Sequence, residues 1–229
     1  MRRCYWLCAS ALALETSIST GLAQSEQPSI PESGTRIEDF LPDGYQIFER
    51  AEADFNGDRR TDVVLLLSSA DETTGPRPLI ILFNQASGGY RLSARSDKFA
   101  PEPFELGVKN PKAAGVLEVK EDLLMVNRSG GMGSSGFSNA FGFKFKGDDW
   151  FLVGEWESEY GFDLDCLGLS PPKQTAESCR WHGTHVDFES NRKTEGWLIY
   201  DARTGKEKKR ERTIAMPRED LRRLVEVEP

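Results

Sequence analysis

The stretch DFNGDRRTD, residues 54–62, sets oxygen-bearing side chains at alternate positions: Asp54, Asn56, Asp58 and, four further on, Asp62. A hard cation such as calcium takes six to eight oxygens. A short loop supplies them when carboxylates and amides alternate while the backbone curls round the ion. With Asp54 first, Asn56 and Asp58 stand third and fifth, the Arg60 carbonyl seventh and Asp62 ninth. Together with one or more waters these would complete a calcium shell. The competing reading is a structural acidic turn, held by Arg59 and Arg60 pairing with the carboxylates. An EF-hand is excluded, because the twelfth residue, where a bidentate Glu would sit, is Leu65, and a strand-like VVLLL follows instead of a helix.

Four further groups carry possible chemistry. RSGGMGSSGFSN, residues 128–139, contains Ser129, Gly130, Gly131, Gly133, Ser134 and Ser135, whose backbone N–H groups could face an anion or other ligand. It lacks the Lys of a phosphate loop and any Gly-x-Ser-x-Gly elbow, so a long hairpin connection is the plainer reading. His182 and His185 are the only histidines; three apart on a strand they face opposite sides, which disfavours a shared metal. EWESEYGFDLDC gathers Glu155, Glu157, Glu159, Asp163 and Asp165 among aromatics, a composition found in sugar-binding and glycoside-cleaving sites. Simple alternation instead turns the three glutamates to solvent and Trp156 inward. Cys166 and Cys179 are read as a disulfide, the alternative being zinc shared with His182 and His185 at a spacing that matches no common zinc module.

The compartment bears on that last choice. Arg2 and Arg3, an apolar run from Cys4 to Leu14 and small residues at Gly21 and Ala23 follow the order of a secretory signal peptide, with cleavage expected after Ala23. The run is about half the roughly 20 residues a membrane span needs, so no permanent anchor is expected. Disulfides persist outside the cytoplasm, and one closing the Cys166–Cys179 loop would stabilise by about 3 kcal/mol in the chain-entropy model. Removing residues 1–23 takes away two Arg and one Glu, moving the formal charge from −8 to about −9. A mildly acidic chain argues against nucleic acid as a partner. The mature length, about 206 residues, suffices for a single core.

The elements that must position these groups read as short strands. After a polar lead-in over 24–36 and a helical turn in IEDFLPDG, strands are expected near 45–53, 62–68, 78–84, 90–96, 115–120, 122–128, 139–146, 149–158, 181–189, 196–201 and 207–215. Gly-bearing turns join several of them as hairpins. MPREDLRRLVEVEP, with Pro217 at its start and Leu221, Leu224 and Val225 on one face, predicts a short C-terminal helix. The basic run RTGKEKKRER, residues 203–212, suits an exposed strand edge guarded against pairing with another chain. The fold class is mainly β: antiparallel sheets joined by hairpins, sandwich-like or an incomplete propeller, in one domain over 37–229.

ADFNGDRRTDVVLLL resembles the D-x-[DN]-G-D-G-x-x-D-hydrophobic motif of FG-GAP and VCBS-type repeats, found in integrin-like propeller blades and many exported bacterial proteins. The resemblance implies side-chain ligation of calcium by Asp54, Asn56, Asp58 and Asp62, and carbonyl ligation by Arg60. Gly57 matches the motif's first glycine. Arg59 stands where the motif has its second, at a position that often needs positive φ. More broadly, the order of LPDGYQIFERAEADFNGDRRTDVVLLL, RPLIILFNQASGGYRLSARSD and a later Gly-rich stretch resembles a group of exported bacterial proteins with one such motif.

Function is therefore expected to be that of an exported, periplasmic, non-enzymatic module binding an unknown protein or small ligand, with one calcium-type loop. An inhibitor or immunity-like protein is the alternative. A hydrolase using the Glu155–Asp165 region or the two histidines ranks third.

Overall fold

Two uninterrupted aliphatic runs, VVLLL and LIILF, decide the architecture, because a strand apolar at every position must be covered on both faces. The computed structural model describes residues 29–69, 77–97, 116–132, 135–164, 177–218 and 220–227. Residues 1–23, Cys166, Gly133 and Ser134 lie outside them.

The strands are β1 Ser33–Gly34, β2 Tyr45–Ala53, β3 Asp62–Ser69, β4 Leu79–Asn84, β5 Tyr90–Ser96, β6 Leu117–Lys120, β7 Leu123–Met132, β8 Ser135–Lys146, β9 Asp149–Leu164, β10 Glu177–Asp187, β11 Arg192–Asp201 and β12 Lys206–Ala215. They form two antiparallel sheets, ordered β1-β5-β4-β3-β2 and β12-β11-β10-β9-β8-β7-β6. Within the lead-in over 24–36, expected to be flexible, Ser33–Gly34 form β1, which pairs with β5.

In the five-stranded sheet, Val64 pairs with Ile81 and Leu66 with Leu79, and these face the second sheet. They meet Leu124, Val126, Phe141, Phe143, Trp150 and Leu152 in one continuous core. The alternate residues Val63, Leu65, Leu67, Ile80 and Leu82 face away and are covered by Ile37 and Phe40, which sit on a single 3-10 turn, Ile37–Phe40. Both faces of β3 and β4 are thus dry, which accounts for the unbroken runs. At one edge, the Glu49 carboxylate accepts backbone N–H bonds from Val116 at 2.8 Å and Leu117 at 3.1 Å, tying β2 to the segment that opens β6.

Three expectations change. The C-terminal helix reduces to one 3-10 turn, Leu224–Glu226. Its preceding residues remain extended because the Leu152 N–H donates to the Arg222 carbonyl at 2.8 Å and Arg223 bridges Phe151. The Gly-rich stretch is mostly paired strand: Ser129 faces Ser138, Gly130 faces Phe137, Gly131 faces Gly136 and Met132 faces Ser135. Its backbone groups are used largely in the ladder, which leaves little of the long connection expected there.

The third change concerns phase. Phe143 pairs with Leu152 but Gly142 pairs with Gly154, so β9 carries one extra residue at Val153. Such a bulge moves every later side chain to the other face. Trp156, expected inward, therefore lies on the outer face, over Gly142 and Gly154, where an added Cβ would come within 2.9 Å and 2.6 Å of its ring. Glu155, Glu157 and Glu159 share the face of the core: Glu155 stands at its edge opposite Phe141, and Glu157 and Glu159 lie beyond it, exposed as expected.

Candidate functional site

The acidic loop joins β2 to β3, and its sequence folds it tightly. Phe55 is buried and makes an edge-to-face contact with Trp150 at 5.2 Å, anchoring the loop in the core. Gly57 has φ +75° and Arg59 φ +66°, so the backbone turns in the left-handed region twice within three residues. Glycine reaches this region freely, whereas an L side chain there costs about 1–2 kcal/mol.

The four expected side-chain ligands all turn into the loop. Asp54 accepts N–H bonds from Asp58 at 3.0 Å and Arg59 at 2.8 Å. Asn56 accepts from the Asp58 N–H at 3.0 Å, and Asp58 from the Arg60 N–H at 2.9 Å. Asp62 is fully buried; its two oxygens accept from Phe55 at 3.1 Å and from Asn84 at 3.0 Å. A carboxylate has about four acceptor sites, so each aspartate retains lone pairs after these bonds. Burial pushes the Asp62 carboxyl above the ordinary aspartate value; the N–H bonds oppose this, and the charges of Asp58 and Asp54 add to it.

Arg60 supplies the positive charge in this geometry. Its guanidinium pairs with Asp58, and its Nε donates to the Asn84 carbonyl at 2.9 Å. Arg59 contributes its backbone N–H, and its side chain is exposed. Among the described residues, no three His, Cys, Asp or Glu side chains converge as a ready-made metal cage.

The second feature was missed because of the bulge. On the inner face of the seven-stranded sheet, Phe137, Glu159 and His182 form one cross-strand row, and Asn139, Glu157 and Thr184 the next. With Ser158 they line a hollow of about 270 Å³. His182 stacks on Trp197 at 5.6 Å. His185 is on the opposite face, stacked on Trp156 at 4.6 Å, and burial pushes its imidazolium pKa down, partly offset by Asp187. The two histidines therefore belong to separate environments. Each packs on a tryptophan, and the signal that could have located the hollow was the run of alternating glutamates. Cys179 lies on β10 opposite Leu164 and Ile199, while its expected partner Cys166 is outside the described residues.

Fold and sites together define a two-sheet antiparallel β protein with an acidic turn at one sheet corner and a carboxylate-lined hollow beyond the core. Comparison with protein-family models, curated proteins and solved structures finds no match.

Proposed function

We propose that the protein is an exported, non-enzymatic binding module that works in the periplasm, and that its acidic loop is a single FG-GAP/VCBS-type turn that takes calcium. The observation that carries the reading is the inward set of Asp54, Asn56, Asp58 and Asp62, held by backbone N–H groups at hydrogen-bonding distance. That arrangement confines negative charge in one small turn. A dication relieves the repulsion more fully than a single guanidinium does. Calcium then displaces Arg60 from Asp58 and takes its backbone carbonyl as a ligand. The ion's role is to lock the β2–β3 corner. Export rests on the order of residues 1–23, and the placement of His182 and His185 on opposite faces speaks against a shared catalytic centre.

Melting the mature protein with and without calcium tests this. For a Kd near 1 mM, about 10 mM calcium adds roughly 1.4 kcal/mol, or a Tm rise of about 3–5 °C at this size. Asp58→Ala should abolish the rise. An unchanged Tm for the parent protein at that concentration contradicts the reading.

A further inference from the structure

Four glutamates on the inner face, Glu155, Glu157, Glu159 and Glu195, are not equally partnered. Glu155 is paired with Arg222, whose guanidinium carbon lies 5.8 Å from the Phe188 ring centroid. Glu195 is paired with Arg212, whose guanidinium carbon lies 5.8 Å from the Trp197 centroid, and Lys193 also reaches this carboxylate at 3.1 Å. Each of these carboxylates thus holds a guanidinium beside an aromatic ring. Glu159 also lies beside rings, with Phe137 opposite it on one side and the His182–Trp197 stack on the other, while Glu157, one row along, stands between Asn139 and Thr184. Both are exposed, and neither has an ion pair among the described residues.

We infer that the hollow lined by Phe137, Asn139, Glu157, Glu159, His182 and Thr184 binds a guanidinium group, presented as an arginine side chain by a partner protein. This deepens the binding-module reading and rests on it, while being independent of calcium in the loop. Charge selects a cation, and the aromatic walls select one that is planar. A guanidinium forks onto carboxylates and stacks on rings, whereas a hydrated ammonium does neither as well. Asn139 and Thr184 add an amide and a hydroxyl to orient the remaining N–H groups. A hard metal ion fits poorly: the two carboxylates stand two residues apart on one strand, roughly 6.6 Å between Cα atoms, and their other neighbours include rings. Size points the same way. At about 270 Å³ the hollow has room for one side-chain head group.

Nearby basic residues do not fill the role. Arg212 and Arg222 are committed to Glu195 and Glu155, and Arg128, opposite Asn139 on β7, is itself engaged.

The test is an NMR titration of the full mature chain with four probes: N-acetyl-arginine methylamide, its neutral isostere N-acetyl-citrulline methylamide, N-acetyl-lysine methylamide and the singly charged propylguanidine. Saturable shifts at Asn139, His182 and Thr184 are expected with the arginine probe. Its Kd should be at least about tenfold below that of the citrulline probe, the ratio a charge-assisted hydrogen bond supplies, and below that of the lysine probe. The double variant Glu157→Gln/Glu159→Gln, at exposed positions, should keep its Tm and lose at least about tenfold in affinity. Tighter binding of the arginine amide than of propylguanidine, which has the same charge, supports a peptide source; the reverse overturns the protein partner and leaves a free guanidine as ligand. Equal binding of citrulline, unchanged binding by the double variant, or no shift at about 20 mM of any probe overturns the proposal. Asp58→Ala should bind the arginine probe normally, so failure at the hollow and failure at the calcium loop are read separately.

Discussion

Arg59 and Asp62 set the terms on which the acidic loop would take the proposed calcium ion. Arg59 adopts φ +66°, a conformation that glycine takes without strain, and it places a positive side chain at the rim of a negative turn. Arg59→Gly should therefore stabilise the calcium-free protein by up to about 1 kcal/mol in urea denaturation, since the relief of strain exceeds the added freedom of the unfolded chain. It should also tighten calcium binding. A loss of stability would show that the Arg59 side chain makes a stabilising interaction of its own. Asp62 works through pH. Its carboxyl is raised in the folded state, mainly by burial, so the folded protein holds that proton more tightly than the unfolded chain. Between the ordinary aspartate value and the raised one, its contribution to stability falls as pH rises. Calcium reverses the preference, because a ligating carboxylate must be ionised. The calcium-induced rise in Tm should accordingly be larger at pH 7 than at pH 4.5. Equal shifts at the two pH values would count against Asp62 as a ligand.

At the scale of elements, Glu49 links the two sheets. It accepts N–H bonds from Val116 and Leu117, which are themselves buried, so Glu49→Ala strands two donors in a dry place. The expected cost is about 1–3 kcal/mol, measured by chemical denaturation; a change under about 0.5 kcal/mol would mean that water replaces the carboxylate. The strands themselves were legible. The runs VVLLL and LIILF and the Gly-bearing hairpin turns placed eleven strands close to where they occur. β1 escaped notice because two residues carry no period. The C-terminal segment has helical spacing, yet its backbone completes β9, and the buried residues turn out to be Leu224 and Val227. Most consequential was the single extra residue at Val153. No local composition marks it, and it puts Trp156 on the outer face and the three glutamates on the side of the core, where Glu157 and Glu159 are nonetheless exposed as expected. The acidic turn was legible because its oxygen-bearing residues lie within nine positions of one another; the hollow was not, because its residues come from three strands whose register had to be known first.

For the whole molecule, the two features sit in different parts of one architecture. The five-stranded sheet covers the core-forming end of β7, β8 and β9, and the acidic loop sits at its corner, tied to that core by Phe55 and Trp150. Farther along the same strands the inner face becomes polar, and there the hollow opens between β8, β9 and β10. β12 forms the outer edge with all ten residues exposed and a lysine- and arginine-rich sequence, a charge pattern that discourages edge-to-edge pairing. In this scheme the loop rigidifies one end while the sheet extension presents the recognition face. Crystals grown with about 10 mM calcium and measured for anomalous scattering test the central claim most directly. The account predicts one ion within the β2–β3 turn, about 2.3–2.6 Å from oxygens of Asp54, Asn56, Asp58, Asp62 and the Arg60 carbonyl, with the Arg60 guanidinium displaced from Asp58. A turn without an anomalous peak, in which Arg60 still pairs with Asp58, would contradict it.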